Sequence, residues 1–230
     1  MSTQVDVIIP SSGSMLEGNL VAPAGAFGIV VFAHGSGSGR FSRRNRQVAR
    51  ALNDAGLATL LLDLLTGEEE ALDQRTAEFR FDIPRLARRL TDTIDWMYQG
   101  HAVPRMPMGL FGASTGAAAA LIAAADRPQR IAAVVSRGGR PDLAGMALRR
   151  VQAPTLLIVG ALDTGVIELN RDAAAALTCE HQITIVPGAT HLFEEPGTLD
   201  QVASLAGAWF TRFLGPASRS ASTTNWITWD

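Results

Sequence analysis

The chain has 230 residues, 47% of them hydrophobic and 18% charged, a balance that suits a globular domain and excludes general disorder. A formal net charge of −2 gives no pull toward nucleic acid or an anionic membrane surface. All 20 basic residues are arginine, which removes a lysine Schiff base, a lysine general base and a phosphate-loop lysine from consideration.

The single cysteine, Cys179, excludes an intrachain disulfide and a multi-cysteine metal site. With no cationic neighbour in sequence it reads as inert. Residues 1–13 lack the basic-then-apolar order of a signal peptide. The small-apolar run 117–125 is too short to span a bilayer. The expectation is one soluble, cytoplasmic domain over residues 1–230, without nucleic-acid or membrane partners, with homo-oligomerisation left open.

In chain order, residues 5–10 and 15–22 flank a Ser-Ser-Gly-Ser turn and predict a hairpin at a sheet edge. Residues 28–33 (GIVVFA) form an unbroken β-branched and aromatic run, the pattern of a strand buried on both faces. The run stops at His34 and a Gly/Ser loop. Helical spacing over 44–55 places Val48, Leu52 and Ala55 on one face, and Gly56 closes that helix. Residues 57–62 (LATLLL) predict another buried strand. Residues 64–81 are charged and weakly periodic. They read as a solvated excursion, or as a flap using Phe79 or Phe81 as an apolar wall over a site. A helix follows over 83–98.

The alternation continues with strands at 108–112, 131–136, 154–160 and 182–186. Helices are expected at 115–125, 143–150, 167–177 and 199–214. About eight strands alternating with helices imply an α/β fold, a mostly parallel doubly wound sheet with helices on both faces. The tail after Gly215 is rich in Ser and Thr but carries Trp226 and Trp229, which suit docking on the body or on a neighbouring chain.

In such sheets ligands collect at the carboxyl ends of the strands. Gly112-Ala113-Ser114-Thr115-Gly116 matches G-x-S-x-G, with a strand before it and a helix after it. That turn is so tight that its flanking residues must be small. It projects the serine above the sheet, at a helix N-terminus that favours developing negative charge. A serine hydroxyl needs a base. Of four histidines, His101 lies in a polar turn and His181 at the opposite pole. His34 is a candidate in the glycine loop, and His191 follows the last strand, where its imidazole can overhang the serine. Asp163 ends the strand TLLIVGALD and can orient that imidazole, although it also suits a helix N-cap. Asp142 and Asp172 are weaker alternatives. The order Ser114, Asp163, His191 is that of α/β-hydrolases.

Acyl transfer also needs two amide donors for the oxyanion. Thr115 N–H is one, and Ser36 N–H is the other, with Gly35 as its alternative. The glycine loop lacks the lysine and spacing of a phosphate loop and the spacing of a dinucleotide fingerprint. Arg137, at a strand end, could receive a substrate carboxylate or brace a loop.

The segments FAHGSGSG, LLLDLLTGEEE, GLFGASTG, SRGGRPDLAG, LLIVGALD and PGATHLF resemble an α/β-hydrolase, and more narrowly the dienelactone-hydrolase family. That resemblance implies a serine- or cysteine-type hydrolase with no metal, no organic cofactor and no large cap domain. Dienelactone hydrolases place cysteine at the elbow, where this chain has Ser114. The expected function is hydrolysis of a small-molecule carboxylic ester or related acyl bond through Ser114, His191 and Asp163. Acyl transfer or perhydrolysis at the same residues, or a silent binding module on this fold, are the alternatives.

Overall fold

The computed structural model describes residues 2–100 and 104–216. His101, Trp226 and Trp229, weighed above, lie outside the described residues. The eight strands are β1 (Thr3–Ser11), β2 (Ser14–Ala22), β3 (Ile29–Ala33), β4 (Ala58–Leu62), β5 (Met108–Ala113), β6 (Ile131–Arg137), β7 (Thr155–Gly160) and β8 (His181–Val186). They form one sheet in the order β1-β2-β4-β3-β5-β6-β7-β8. The hairpin β1–β2 is antiparallel and meets β4 antiparallel, and every later pairing is parallel.

The unbroken apolar runs become the inner strands because helices cover both of their faces, so no residue in them can be polar-out. Every residue of β3, β4, β5 and β7 is buried. One face packs α1 (Arg43–Asp54) and α6 (Thr198–Leu214) against Phe32, Phe111, Val135 and Ile158. The opposite face packs α3 (Ile83–Tyr98), α4 (Thr115–Asp126) and α5 (Thr164–Ala176) against Val31, Leu60, Leu110 and Val134. Full burial of a side chain such as Phe32 or Phe111 stabilises by roughly 1.5–3 kcal/mol relative to exposure. In α4, the residues from Ala117 to Ala120 are all buried, and their methyl groups let the helix lie close on β5. No helix among the described residues is long and apolar enough to cross a membrane.

Two segments take a form that the spacing did not specify. The short helix expected over 143–150 is part of a 3₁₀ segment, Pro141–Arg150, interrupted at Gly145, where φ is 51°. Residues 67–81 are largely exposed, as in a solvated excursion, but α2 (Gly67–Thr76) gives them a helix. Thr66 and Glu69 close a reciprocal capping box at its start. The order comes from charge pairing instead of an apolar face. Asp73, fully buried, accepts from Phe79 N (2.7 Å), Arg80 N (2.9 Å) and Arg80 Nε (2.7 Å). Glu69 is clamped by Arg85 (3.0 Å) and by both terminal nitrogens of Arg89 (2.5 and 2.7 Å) from α3.

Burial alone would raise the Glu69 carboxyl. Bonds from Arg89 and Thr66 and the charges of Arg89 and Arg85 outweigh it and hold the group at about 2. A depressed carboxyl stabilises the fold above its unfolded value and loses that contribution as pH falls through the folded one. The thermal midpoint of the native chain should therefore exceed that of Glu69→Gln at pH 7. The gap should close between about pH 4.5 and pH 2. A gap that persists unchanged at pH 2 would show that the charge on Glu69 is not what holds α2.

Candidate active site

Ser114 stands between β5 and α4 with φ 51° and ψ −122°, a conformation that a residue bearing a side chain rarely adopts. Such a backbone costs on the order of 1–3 kcal/mol and persists only where its surroundings over-determine it. Here the surroundings are explicit. Ser114 N donates to Arg137 O (3.3 Å), and Ser114 O accepts from Ala117 N (3.1 Å) and Arg140 N (3.0 Å). The flanking glycines are sterically required. A side chain at Gly112 would strike the Ala117 backbone, and one at Gly116 would strike the carbonyls of Ala33 and His34. The hydroxyl makes no capping bond to its own helix.

His191 follows β8 in a loop anchored by Phe193, which is fully buried at φ 56°. Glu195 closes that loop by accepting from Thr190 Oγ1 (2.6 Å) and Thr190 N (3.1 Å). Asp163 occupies the N-cap position of α5, but its side chain makes no capping bond. Its Oδ2 instead accepts from His191 Nδ1 at 2.6 Å. That bond places the imidazole proton on Nδ1 and leaves Nε2 as an acceptor.

Gly138 brings the halves together. It directly follows Arg137, whose carbonyl holds Ser114 N, and a Cβ built on it would lie 2.9 Å from His191 O and 3.6 Å from His191 Nδ1. Ser114 and His191 therefore meet adjacent residues, Arg137 and Gly138. Among the described residues no hydrogen bond joins the Ser114 hydroxyl to His191, and in unliganded sites such bonds often tighten only when substrate binds.

The glycine loop after β3 passes over the serine. A Cβ at Gly35 would sit 2.9 Å from Ser114 Cβ and 3.1 Å from Ala113 O. Ser36, next along, is exposed. Thr115 is buried and opens α4, where the first amides have no intrahelical acceptor. His34, weighed above as a base, is not available as one. It is buried, donates from Nδ1 to Gly35 O (2.9 Å) and accepts at Nε2 from Leu64 N (2.9 Å). It is a brace that ties the glycine loop to the end of β4.

Phe79 and Phe81 are the residues read above as an apolar wall over a site. Phe79 packs partly buried against the core under the Arg85 guanidinium, 4.5 Å from its ring centroid, because Asp73 pins its amide from behind. Phe81 is exposed to solvent. Neither lines the 630 Å³ cavity beside the glycine loop, whose walls include Ser36, Arg40, Phe41, Arg44 and Asp63. Asp142 is paired with Arg140 (2.7 Å) and Asp172 is exposed, which removes both as partners of His191. Arg137 is buried at the end of β6. No group of three or more His, Cys, Asp or Glu among the described residues is placed to hold a metal ion.

The fold and this arrangement at the strand ends define an α/β-hydrolase. The chain belongs to the dienelactone hydrolase family, whose model matches residues 16–214. It is similar to the crystal structure of a dienelactone hydrolase from Anabaena variabilis, with 55% identity and a TM-score of 0.91 over 93% of this chain and 99% of that one. Est1E from Butyrivibrio proteoclasticus shares the fold at 16% identity and a TM-score of 0.74, over 90% of this chain and 98% of that one. Two Mycobacterium tuberculosis proteins named as candidate phosphoribosyl transferases are 58% identical over 202 residues, covering 87% of this chain. The chain spans only 45% of the length of those relatives.

His34 supplies a test of the brace. Burial lowers its pKa, against the opposing effects of the Gly35 bond and the charges of Asp63 and Glu70. A histidine kept neutral in the fold costs stability once the unfolded chain protonates. The native chain should lose thermal stability as pH falls below about 6.5, the unperturbed value. In a melting series, His34→Gln should show a shallower acid limb. Identical limbs in both proteins would refute the neutral brace.

Proposed function

We propose that this chain hydrolyses carboxylic esters or related acyl bonds through Ser114, His191 and Asp163. The observation that carries the reading is the 2.6 Å bond between Asp163 Oδ2 and His191 Nδ1, made by a residue whose position would otherwise have it cap α5. Membership of a hydrolase family supports it.

Ser114 Oγ attacks the carbonyl carbon while its proton passes to His191 Nε2. The imidazolium so formed keeps its proton on Nδ1, donated as a hydrogen bond to Asp163 Oδ2, whose negative charge stabilises it. The amides of Thr115 and Ser36, or of Gly35 in its place, donate to the tetrahedral oxyanion. When the carbon–oxygen bond to the alcohol breaks, His191 returns its proton to the leaving oxygen, and the acyl group stays on Ser114. Water then attacks the acyl-serine as His191 takes its proton, and the acid departs with Ser114 restored. The sequence asks for no group beyond the chain's own residues, the ester and water. Ser36, one of the amide donors, lines the 630 Å³ cavity beside the loop, whereas Ser114, Asp163 and His191 do not. An acceptor other than water at the acyl-enzyme would turn the same steps into acyl transfer. The transferase names of the mycobacterial relatives belong to chains about twice this length, and the present reading rests on the matched part.

Chromogenic esters of graded acyl length test it. Ser114→Ala and His191→Ala should each lower kcat by about 10³-fold or more, because they act as one unit. The double variant should be little worse than either alone. Losses that multiply, or failure of a fluorophosphonate probe to label Ser114, would exclude the shared triad.

A further inference from the structure

Asn170 is a fully buried polar side chain inside α5, where an apolar residue would be the ordinary choice. Its Nδ2 donates to Gly139 O at 3.0 Å and to Val166 O at 2.8 Å, and its Oδ1 has no hydrogen-bond partner among the described residues. The two carbonyls fix which way the amide faces, because turning it over would set Oδ1 against both. Val166 O lies one turn back on the same helix, where the ladder of α5 already offers it a donor. Gly139 O lies 31 residues away, in the turn after β6.

That turn grips the nucleophile elbow. A peptide unit is planar, with its C=O and N–H pointing in opposite directions. Gly139 C=O and Arg140 N–H belong to one such unit. The bond from Asn170 enters at one end of it, and the bond from Arg140 N to Ser114 O (3.0 Å) leaves at the other. Ser114 C=O in turn shares a unit with Thr115 N–H, proposed above as an oxyanion donor. Asn170 Nδ2 and these two units therefore stand in series. Hydrogen bonds in such a chain polarise one another, more so in a low-dielectric interior. The first unit is also closely confined. Gly139 is buried, and a Cβ built on it would lie 1.9 Å from Ser136 Oγ and 2.6 Å from Ala117 Cβ.

We propose that Asn170 is a positioning residue for the oxyanion site. Through two successive peptide units its amide orients and polarises the Thr115 N–H that meets the developing charge. One helix then serves both halves of the chemistry, with Asp163 turned to His191 at its start and Asn170 turned to the elbow about two turns on. This inference rests on the ester-hydrolase reading for the reaction that Asn170 assists, but not for the bonds that carry it.

Asn170→Leu removes the donor and keeps the bulk. With 4-nitrophenyl butyrate its kcat should fall about tenfold, less than the 10²–10³-fold that loss of a direct oxyanion donor causes. KM should stay within about twofold, because the affected amide acts on the transition state. An alkyl trifluoromethyl ketone, whose adduct with the serine carries the oxyanion, should bind more weakly by the same factor as kcat falls. By amide NMR, the Arg140 N–H should exchange with solvent faster than in the native chain. The Gly138 N–H, bonded to Ile158 O at 2.8 Å, should not change. Asn170→Asp, of similar volume with an acceptor in place of the donor, should give the same readings if the leucine variant does not fold. A lower melting point with kcat, ketone affinity and Arg140 exchange unchanged would make Asn170 a structural residue of α5 and overturn the proposal. A fall in kcat with ketone affinity unchanged would overturn it as well. If the native chain hydrolyses no ester and binds no ketone, the hydrolase reading fails by itself. The Arg140 amide then still decides whether Asn170 holds the elbow.

Discussion

The reversal of the chain at Ser114 is the constraint on which the neighbouring structure depends. A non-glycine residue at positive φ is held there by what crowds it, and each crowding group has been given a size to match. Gly112 and Gly116 carry no side chain because backbone already fills the space. Gly35 lets the loop after β3 pass within contact of the serine. Arg137 O and Arg140 N then grip the elbow from β6 and the turn beyond it. The strain at one residue is thus borne by three strand ends. This explains why polar groups gather at that edge of the sheet while the strands beneath are buried and mostly apolar.

Farther out, charge takes over from packing. The alanine-rich face of α4 brings helix and sheet close, and the surrounding loops are held by arginine–carboxylate pairs. Exposed pairs of this kind contribute little. The buried ones, Asp73 with Arg80 and Arg89 with Glu69, satisfy backbone groups as well as each other. They turn a stretch with almost no apolar period into an ordered helix. Arginine suits such work because its planar fork serves a carboxylate and a carbonyl together.

The strands were legible because burial on both faces leaves a continuous apolar run, which few other local structures require. The elbow was legible because its steric demands are local and fall on adjacent residues. Asp163 was half legible. Its place at a strand end was plain, but whether its carboxylate caps α5 or turns to His191 depends on a loop 28 residues away. The order of residues 64–81 was hidden for the same reason, since its partners Arg85 and Arg89 lie outside the stretch. His34 looked like a base until its acceptor nitrogen met Leu64 N, 30 residues on. Phe79 and Phe81 could not be assigned a direction, because no periodicity fixed which way the segment turned.

The position of His191 beyond β8 carries a mechanical consequence. The serine sits at the end of a central strand buried throughout, whereas the histidine hangs from the sheet's last strand, where only Val186 is fully covered. Local opening begins where backbone hydrogen bonds are most exposed to water. Amide exchange along β8 and its loop should therefore run ahead of exchange along β5. On warming, the imidazole would part from Asp163 while the elbow is still intact. Parting of His191 from Asp163 and loss of the fold would then be separate events in this molecule, with the outer strand failing first.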